Sequence, residues 1–150
     1  MSQALAAYLA PRLQGWAARR PPDQVIGEDY LTRWYVIPRN PVANVYLHRF
    51  TRSDDDRACH DHPWLSVSLC LSGRMIEVLP DEDFRWVEPG TVVFRRARHA
   101  HRLELVKGPV WTLFLTGPVV RSWYFHCPQG LVHWREFSDE SGNRIGRGCD

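Results

Sequence analysis

Short stretches of alternating apolar and polar residues follow one another along most of the chain. In LSVSLCL, residues 65–71, leucine and valine alternate with serine and cysteine, which is typical of a strand with one apolar and one small, polar face. Gly, Pro and Asp residues separate these stretches and mark turns. The predicted strands cover residues 32–38, 44–51, 65–71, 74–79, 84–88, 91–96, 101–106, 110–116, 121–126 and 131–137. Many short strands without intervening helices predict an all-β sandwich or barrel.

The two ends of the chain differ from this β-rich middle. Leucines and a tryptophan near helical spacing predict a helical leader over 1–28, in which Pro11 either kinks the helix or opens a second one. The segment 138–150 is polar and rich in glycine, which predicts a flexible tail. A single β domain over 29–137 lies between them, with a turn at Gly73.

Charge and arginine content bear on the partners. The formal net charge of +2 argues against nucleic acid as a partner. The nineteen basic residues include a single lysine, Lys107. A GC-rich genome explains such a bias, but a guanidinium also binds a planar carboxylate through two hydrogen bonds. Composition leaves both explanations open.

The cysteines and the apolar runs bear on the compartment. Cys59, Cys70, Cys127 and Cys149 show neither a CxxC pair nor regular spacing, so we predict no disulfide framework. No apolar run approaches the length of a membrane span, and the first residues lack the basic region of a signal peptide. We therefore expect a cytoplasmic protein with reduced cysteines and no membrane partner.

Two histidines precede the alternating stretch. In RACHDHPWLSVSLC, residues 57–70, His60 and His62 lie two positions apart and therefore on one face of a strand. The small, polar residues of the next strand, which include Ser66, lie an even number of positions from the two histidines. They are therefore expected on the same face, where they predict a pocket wall. Asp61 faces the other way, which favours a structural role. Two histidines do not hold a functional ion, so a third ligand must come from elsewhere.

That third ligand is predicted in EPGTVVFRRARHAHRLEL, residues 88–105, where a Pro-Gly turn, a buried strand and a short loop precede His101. An HxH pair followed by PG…H resembles the two-part signature of the cupins, small jelly-roll barrels that hold a metal inside. In the cupin pattern, the count from the Pro-Gly pair favours His101 over His99. Ser66 occupies the position of the glutamate that cupins usually carry.

The resemblance implies a cupin-type double-stranded β-helix, a jelly-roll barrel with a short N-terminal helical segment. It also implies one divalent metal held by His60, His62 and His101. By ligand type, Fe(II) is the first candidate, and Zn, Ni, Mn and Cu also fit. Family analogy further predicts a homodimer.

Thiol dioxygenases, a branch of the cupins that uses three histidines and iron(II), share further detail over about residues 30–117. Their motifs resemble HDH at 60–62 and HRLE at 101–104. The stretch YLTRWYVI resembles their segment whose arginine binds the substrate carboxylate, and Arg33 matches that arginine. These enzymes also keep a Ser-His-Tyr relay after the third ligand. The matching strand here, WTLFLTGP, has neither the histidine nor the tyrosine.

Other polar residues have two interpretations each. WYFHCPQGLVHW, residues 123–134, is either a packed edge strand, or a lid in which His126 supplies a proton-transfer group and Cys127 lies near the pocket. Arg49 either anchors an anion or forms a salt bridge on the outer face of the sheet.

The combined prediction is a non-haem Fe(II) dioxygenase-like enzyme. It would act on a small anionic substrate, a carboxylate or a thiol, with Arg33 and His126 as catalytic residues. One alternative is a metal-dependent isomerase or lyase. Another is a module that binds or senses a small molecule without turnover.

Overall fold

The computed structural model describes residues 1–54, 58–81, 83–141 and 144–150, which form two antiparallel sheets and two helices. The predicted all-β fold with an N-terminal helix is confirmed. The helices are α1 (Ser2–Ala17) and α2 (Trp134–Phe137). The strands are β1 (Gln24–Ile26), β2 (Leu31–Tyr35), β3 (Asn44–Phe50), β4 (Cys59–His60), β5 (Ser66–Val78), β6 (Phe84–Val87), β7 (Val92–Arg95), β8 (Arg102–Thr116), β9 (Tyr124–Cys127) and β10 (Gly130–His133).

The two sheets meet at a pair of histidines. The larger sheet has the order β1-β2-β3-β8-β5-β6, and β7 pairs with the first part of β5. The smaller sheet has the order β10-β9-β4. An isolated bridge between His60 of β4 and His101, with backbone hydrogen bonds of 2.9 and 3.0 Å, connects the smaller sheet to the start of β8. Two predicted metal ligands therefore lie opposite each other across a strand pair.

The turn predicted at Gly73 is wrong, because β5 continues through this residue with bulges in its pairing with β8. Gly73 has a φ of 80°, and a Cβ atom here would lie 2.5 Å from the carbonyl oxygen of Pro109. Glycine thus allows a close approach of two paired strands instead of a reversal of the chain. The predicted strand pairs 65–71 with 74–79 and 101–106 with 110–116 are each one long strand.

The structure bears on two other local predictions, the strand 131–137 and the two alternatives for Pro11. The stretch 131–137 is a strand only as far as His133, whose side chain accepts a hydrogen bond from the backbone N–H of Arg135 and so caps α2. Pro11 lies inside α1 and does not open a second helix. Packing of α1 against the sheet outweighs the backbone hydrogen bond that proline removes.

Helix α1 covers the outer face of the larger sheet. Its alanines Ala6 and Ala10 pack in one buried cluster with Leu69 and Leu71 of β5. The alternate residues of β5 point the other way, and Cys70 belongs to the core inside the barrel. Both faces of this strand are therefore buried, the outer one by the helix.

Within the described residues, neither helix has the length and apolar character of a membrane span.

The C-terminal segment is tied back to the smaller sheet. A disulfide joins Cys149 to Cys127 of β9, and Phe137 stacks on Phe125 with 3.6 Å between ring centroids. The spacing of the cysteines did not indicate this bond, because tertiary structure brings the two residues together from 22 positions apart. The expectation that all four cysteines are reduced is wrong for this pair.

Candidate metal centre

Three histidine rings converge inside the barrel, at the place where the two sheets meet. The ring centroids of His60, His62 and His101 lie 5.1–5.3 Å from one another. Nε2 of His62 and Nε2 of His101 are 3.3 Å apart. Two nitrogens bound to one ion at about 2.1 Å would lie roughly 3 Å apart, so this spacing fits a shared metal. The structure thus brings together the three residues that the two motifs predicted.

The charge state of the rings also suits a metal. Burial lowers the pKa of His60 below its ordinary value. Burial, and then the charge of His101, lower the pKa of His62 well below its ordinary value. Burial likewise lowers the pKa of His101 to about 3. Nδ1 of His60 is buried and has no hydrogen-bond partner among the described residues. Neutral imidazoles with available lone pairs are what a divalent cation requires, so the donor set fits one.

Glu77 of β5, which the sequence interpretation missed, lies directly behind His101. Its side chain is fully buried, and Oε1 lies 3.1 Å from Nδ1 of His101. A carboxylate at Nδ1 favours the tautomer with the proton on that atom, which leaves Nε2 free to bind a metal. Glu77 therefore lies where a carboxylate can orient the third candidate ligand.

The charge of Glu77 is balanced by two arginines. Arg95 and Arg85 each lie 2.6 Å from its carboxylate. Burial raises the pKa of Glu77, but the contact with His101 and the charge of Arg95 outweigh it, so the pKa lies well below its ordinary value. Glu77, His99 and His101 also come close enough to form a ligand group. Because two arginines already engage the carboxylate, we assign it to support of His101 and not to metal binding.

Arg33 of β2 lines the same cavity as the three histidines. Its Nε donates a 2.8 Å hydrogen bond to Nε2 of His48, and one terminal nitrogen donates to Gln24. No carboxylate among the described residues lies within ion-pair distance of it. Burial lowers the pKa of Arg33 below its ordinary value, yet arginine stays charged in proteins. The guanidinium is thus a cation with neutral partners, as the site of an anionic ligand requires.

His48 of β3 is a second residue that the sequence interpretation missed. It is buried, and it stacks on Phe114 with ring centroids 4.9 Å apart. Burial, and then the charge of Arg33, hold its pKa well below the ordinary value. A neutral His48 accepts the hydrogen bond that orients Arg33. In NVYLHRFT, His48 lies two positions from Tyr46 and from Phe50, which are both buried. Alternation along the strand therefore indicated that the side chain of His48 faces inward.

The cavity around the three rings is small and mostly apolar. It has a volume of about 140 Å³. On the small, polar face of β5, Ser68 lines the cavity, whereas Ser66 and Cys70 do not. Thr112 and Phe114, on the strand that lacks the Ser-His-Tyr relay, line it too.

The remaining candidates lie elsewhere. His126 lines neither this cavity nor the one next to it, and its Nε2 lies 3.3 Å from the carboxylate of Asp61. Asp61 is buried, lies 2.7 Å from Arg121 and accepts a hydrogen bond from the backbone of β9, which agrees with the structural role that the sequence favours. Arg49 lies over the ring of Trp111 on the outer face.

Comparison with known proteins supports the fold. No protein-family model and no curated protein matches the chain. KdgF from Halomonas sp. has a TM-score of 0.55 at 16% identity, over 68% of this chain and 91% of that one. The DMSP lyase DddQ from Ruegeria pomeroyi DSS-3 has a TM-score of 0.54 at 18% identity, and the match covers 69% of this chain and 55%, about half, of the lyase. An RmlC-like cupin from Shewanella frigidimarina NCIMB 400 has a TM-score of 0.54 at 16% identity, and the match covers 68% of this chain and 86% of that one. The chain therefore has the double-stranded β-helix fold of the cupins.

Proposed function

We propose that the chain is a metal-dependent enzyme that acts on a carboxylate substrate, and that its metal is Fe(II). The observation that carries the proposal is the convergence of three neutral histidine rings with Arg33 around one small cavity. Three imidazoles without a carboxylate suit borderline metals, among which Zn, Ni, Mn and Cu compete with iron. When bound, Fe(II) with three protein ligands supplies open coordination positions for a substrate and for dioxygen.

The residues around the centre have separate tasks in this proposal. Arg33 binds the substrate carboxylate, and His48 holds the guanidinium in place through its 2.8 Å hydrogen bond. Glu77 keeps the proton on Nδ1 of His101. Phe114 and its apolar neighbours exclude water from the reacting groups, which strengthens the attraction between Arg33 and a carboxylate.

A second candidate is a metal-dependent lyase or isomerase, which needs no dioxygen. Thr112 and Phe114 stand on the strand where the thiol dioxygenases keep their proton relay, and this difference favours a reaction of another type. The structural neighbour from Ruegeria pomeroyi is a lyase with the same fold. Both candidates use the same three histidines and the same arginine.

The experiment that tests the proposal begins with the metal content of the anaerobically purified protein. The His101→Ala variant removes one ligand, and His99→Ala is the matched control, because His99 lines neither cavity. Dioxygen uptake is then followed with a panel of carboxylates and thiols, and product formation is followed under nitrogen.

We expect one iron per chain, its loss in His101→Ala and its retention in His99→Ala. Uptake of dioxygen that depends on a substrate identifies the oxygenase, whereas turnover under nitrogen identifies the lyase or isomerase. A protein that takes up no divalent metal after reconstitution contradicts the proposal. Metal and ligand binding without turnover of any tested compound would favour a sensing module instead.

A further inference from the structure

We propose that the substrate of this site is an amphipathic carboxylate whose aromatic or similarly bulky apolar group occupies a second cavity in front of the metal centre. The inference rests on the proposed function and names its substrate class. The two cavities adjoin each other, and both have mostly apolar walls.

The second cavity, which we call the outer cavity, has a volume of about 280 Å³. It shares five lining residues with the inner cavity that holds the three rings. These shared residues are Tyr30, Arg33, His60, His62 and Trp64. His101 lines the inner cavity only. A ligand with its carboxylate at Arg33 can therefore reach the metal ligands with one end and extend into the outer cavity with the other.

Aromatic rings surround the junction of the two cavities. The ring centroid of Trp123 lies 6.0 Å from that of His60, and that of Phe125 lies 5.6 Å from it. Trp64 lies almost parallel to His62 at 6.3 Å. Flat apolar groups pack well against such rings, through buried area and through stacked or edge-to-face geometry.

The charged groups of the outer cavity, apart from the shared Arg33, already have partners. The Asp54 carboxylate accepts a 2.6 Å hydrogen bond from the backbone N–H of Leu103, and Arg144 forms an ion pair with Glu28. Arg33 has only neutral partners among the described residues, as shown above. The carboxylate of Asp54 repels a second anion in the outer cavity, whereas Arg33 attracts one. The anionic end of a ligand therefore belongs at Arg33, and its uncharged, apolar end belongs in the outer cavity.

Trp64 adds a second donor at the same junction. Its indole Nε1 is buried and has no hydrogen-bond partner among the described residues. A buried donor without an acceptor costs free energy, and an oxygen atom of a bound ligand would satisfy it.

The sizes of the two cavities favour a substrate larger than a two- or three-carbon acid. A dry cavity of about 150 Å³ holds one benzene molecule, so the inner cavity is filled by a carboxylate group and a few carbons. A two- or three-carbon acid would leave the outer cavity, which is about twice as large, to water against apolar walls. Removal of that wall area from water favours the longer ligand.

The test compares propanoate with 3-phenylpropanoate, which share the carboxylate and differ by one phenyl ring. Calorimetric titration of the metal-loaded protein is expected to show at least tenfold tighter binding of 3-phenylpropanoate, which is about 1.4 kcal/mol. In Ile145→Trp, a new indole fills part of the outer cavity, and we expect most of this preference to disappear while propanoate binds as before. Ile37→Trp is the matched control, because Ile37 is similarly exposed and lines neither cavity.

Equal affinity for the two acids in the unsubstituted protein would overturn the inference. A preference that Ile145→Trp leaves intact would overturn it as well, because the ring would then bind elsewhere. The metal content of the same samples tests the proposed function separately. A metal-loaded protein without the preference refutes only the substrate class, whereas a protein that binds no metal but keeps the preference refutes the metal-dependent function.

Discussion

Glu77 and Asp61 are both buried carboxylates with an arginine and a histidine beside them, but only Glu77 contacts a candidate metal ligand. Glu77 lies 3.1 Å from His101, on the side of the ring opposite the converging nitrogens. Asp61 lies between two candidate ligands in sequence, yet its side chain accepts a 2.8 Å hydrogen bond from the backbone N–H of Tyr124 and faces the smaller sheet. Neighbourhood in sequence therefore does not indicate which carboxylate contacts the candidate metal ligands.

One arginine partner of Glu77, Arg95, is more buried than Arg121, the partner of Asp61, and this difference bears on the stability of the two regions. Arg95, beside Glu77, is 4% exposed, whereas Arg121, beside Asp61, is 20% exposed. A buried ion pair is costly to break from one side, because the remaining charge is left without a partner in a medium of low dielectric. We therefore expect the Glu77 region to respond more strongly to substitution.

The largest effect is predicted for Glu77→Ala. Loss of the carboxylate leaves Arg95 buried without a counter-ion, and we expect the free energy of unfolding to fall by about 3–5 kcal/mol. Urea unfolding followed by tryptophan fluorescence measures it. Glu104→Ala removes a partly exposed ion pair of the same sheet and should change the free energy by no more than about 1 kcal/mol. Equal, small losses in both variants would show that the buried pair contributes little.

The next effect concerns the Asp61 region, which the disulfide holds in place through β9. Cys149→Ser should lower the free energy of unfolding by about 3 kcal/mol, because the unfolded chain regains the freedom of a loop of 22 residues. The metal affinity should stay unchanged, since neither cysteine lines the cavity with the three rings. A loss of metal in this variant would show that the C-terminal segment supports the centre itself.

A third prediction compares the two carboxylates directly. In Glu77→Gln the amide cannot hold the proton of His101 as the carboxylate does, so metal affinity should fall about 10- to 100-fold. Asp61→Asn, the matched control, should change the affinity much less. Competition with a chromophoric chelator measures both. The visible spectrum of the cobalt(II)-loaded protein should change only in Glu77→Gln, whereas equal effects in both variants would contradict a specific role of Glu77.

Alternation was sufficient to predict most strands, and the resemblance to the cupins added His101 to the two histidines of the HDH motif. His60 and His62 share a face because they lie two positions apart, and Arg33 was found through the resemblance to the thiol dioxygenases. Glu77 was missed because a turn predicted at Gly73 divided β5, and the bulges there break the simple alternation that would have shown which way Glu77 points. Its contact with His101 depends on the pairing of β5 with β8, which no local pattern contains.

The smallest effect separates the two arginines that bind Glu77. Arg85 is 37% exposed, so water and salt screen its ion pair, and Arg85→Gln should lower the free energy of unfolding by no more than about 1 kcal/mol. Arg95→Gln should cost several times more, because Arg95 is buried and also donates a 2.9 Å hydrogen bond to Ser68. An increase in salt concentration should reduce the loss of unfolding free energy caused by Arg85→Gln. The loss caused by Arg95→Gln should not change with salt. If both variants responded alike to salt, burial would not be what distinguishes the Glu77 region.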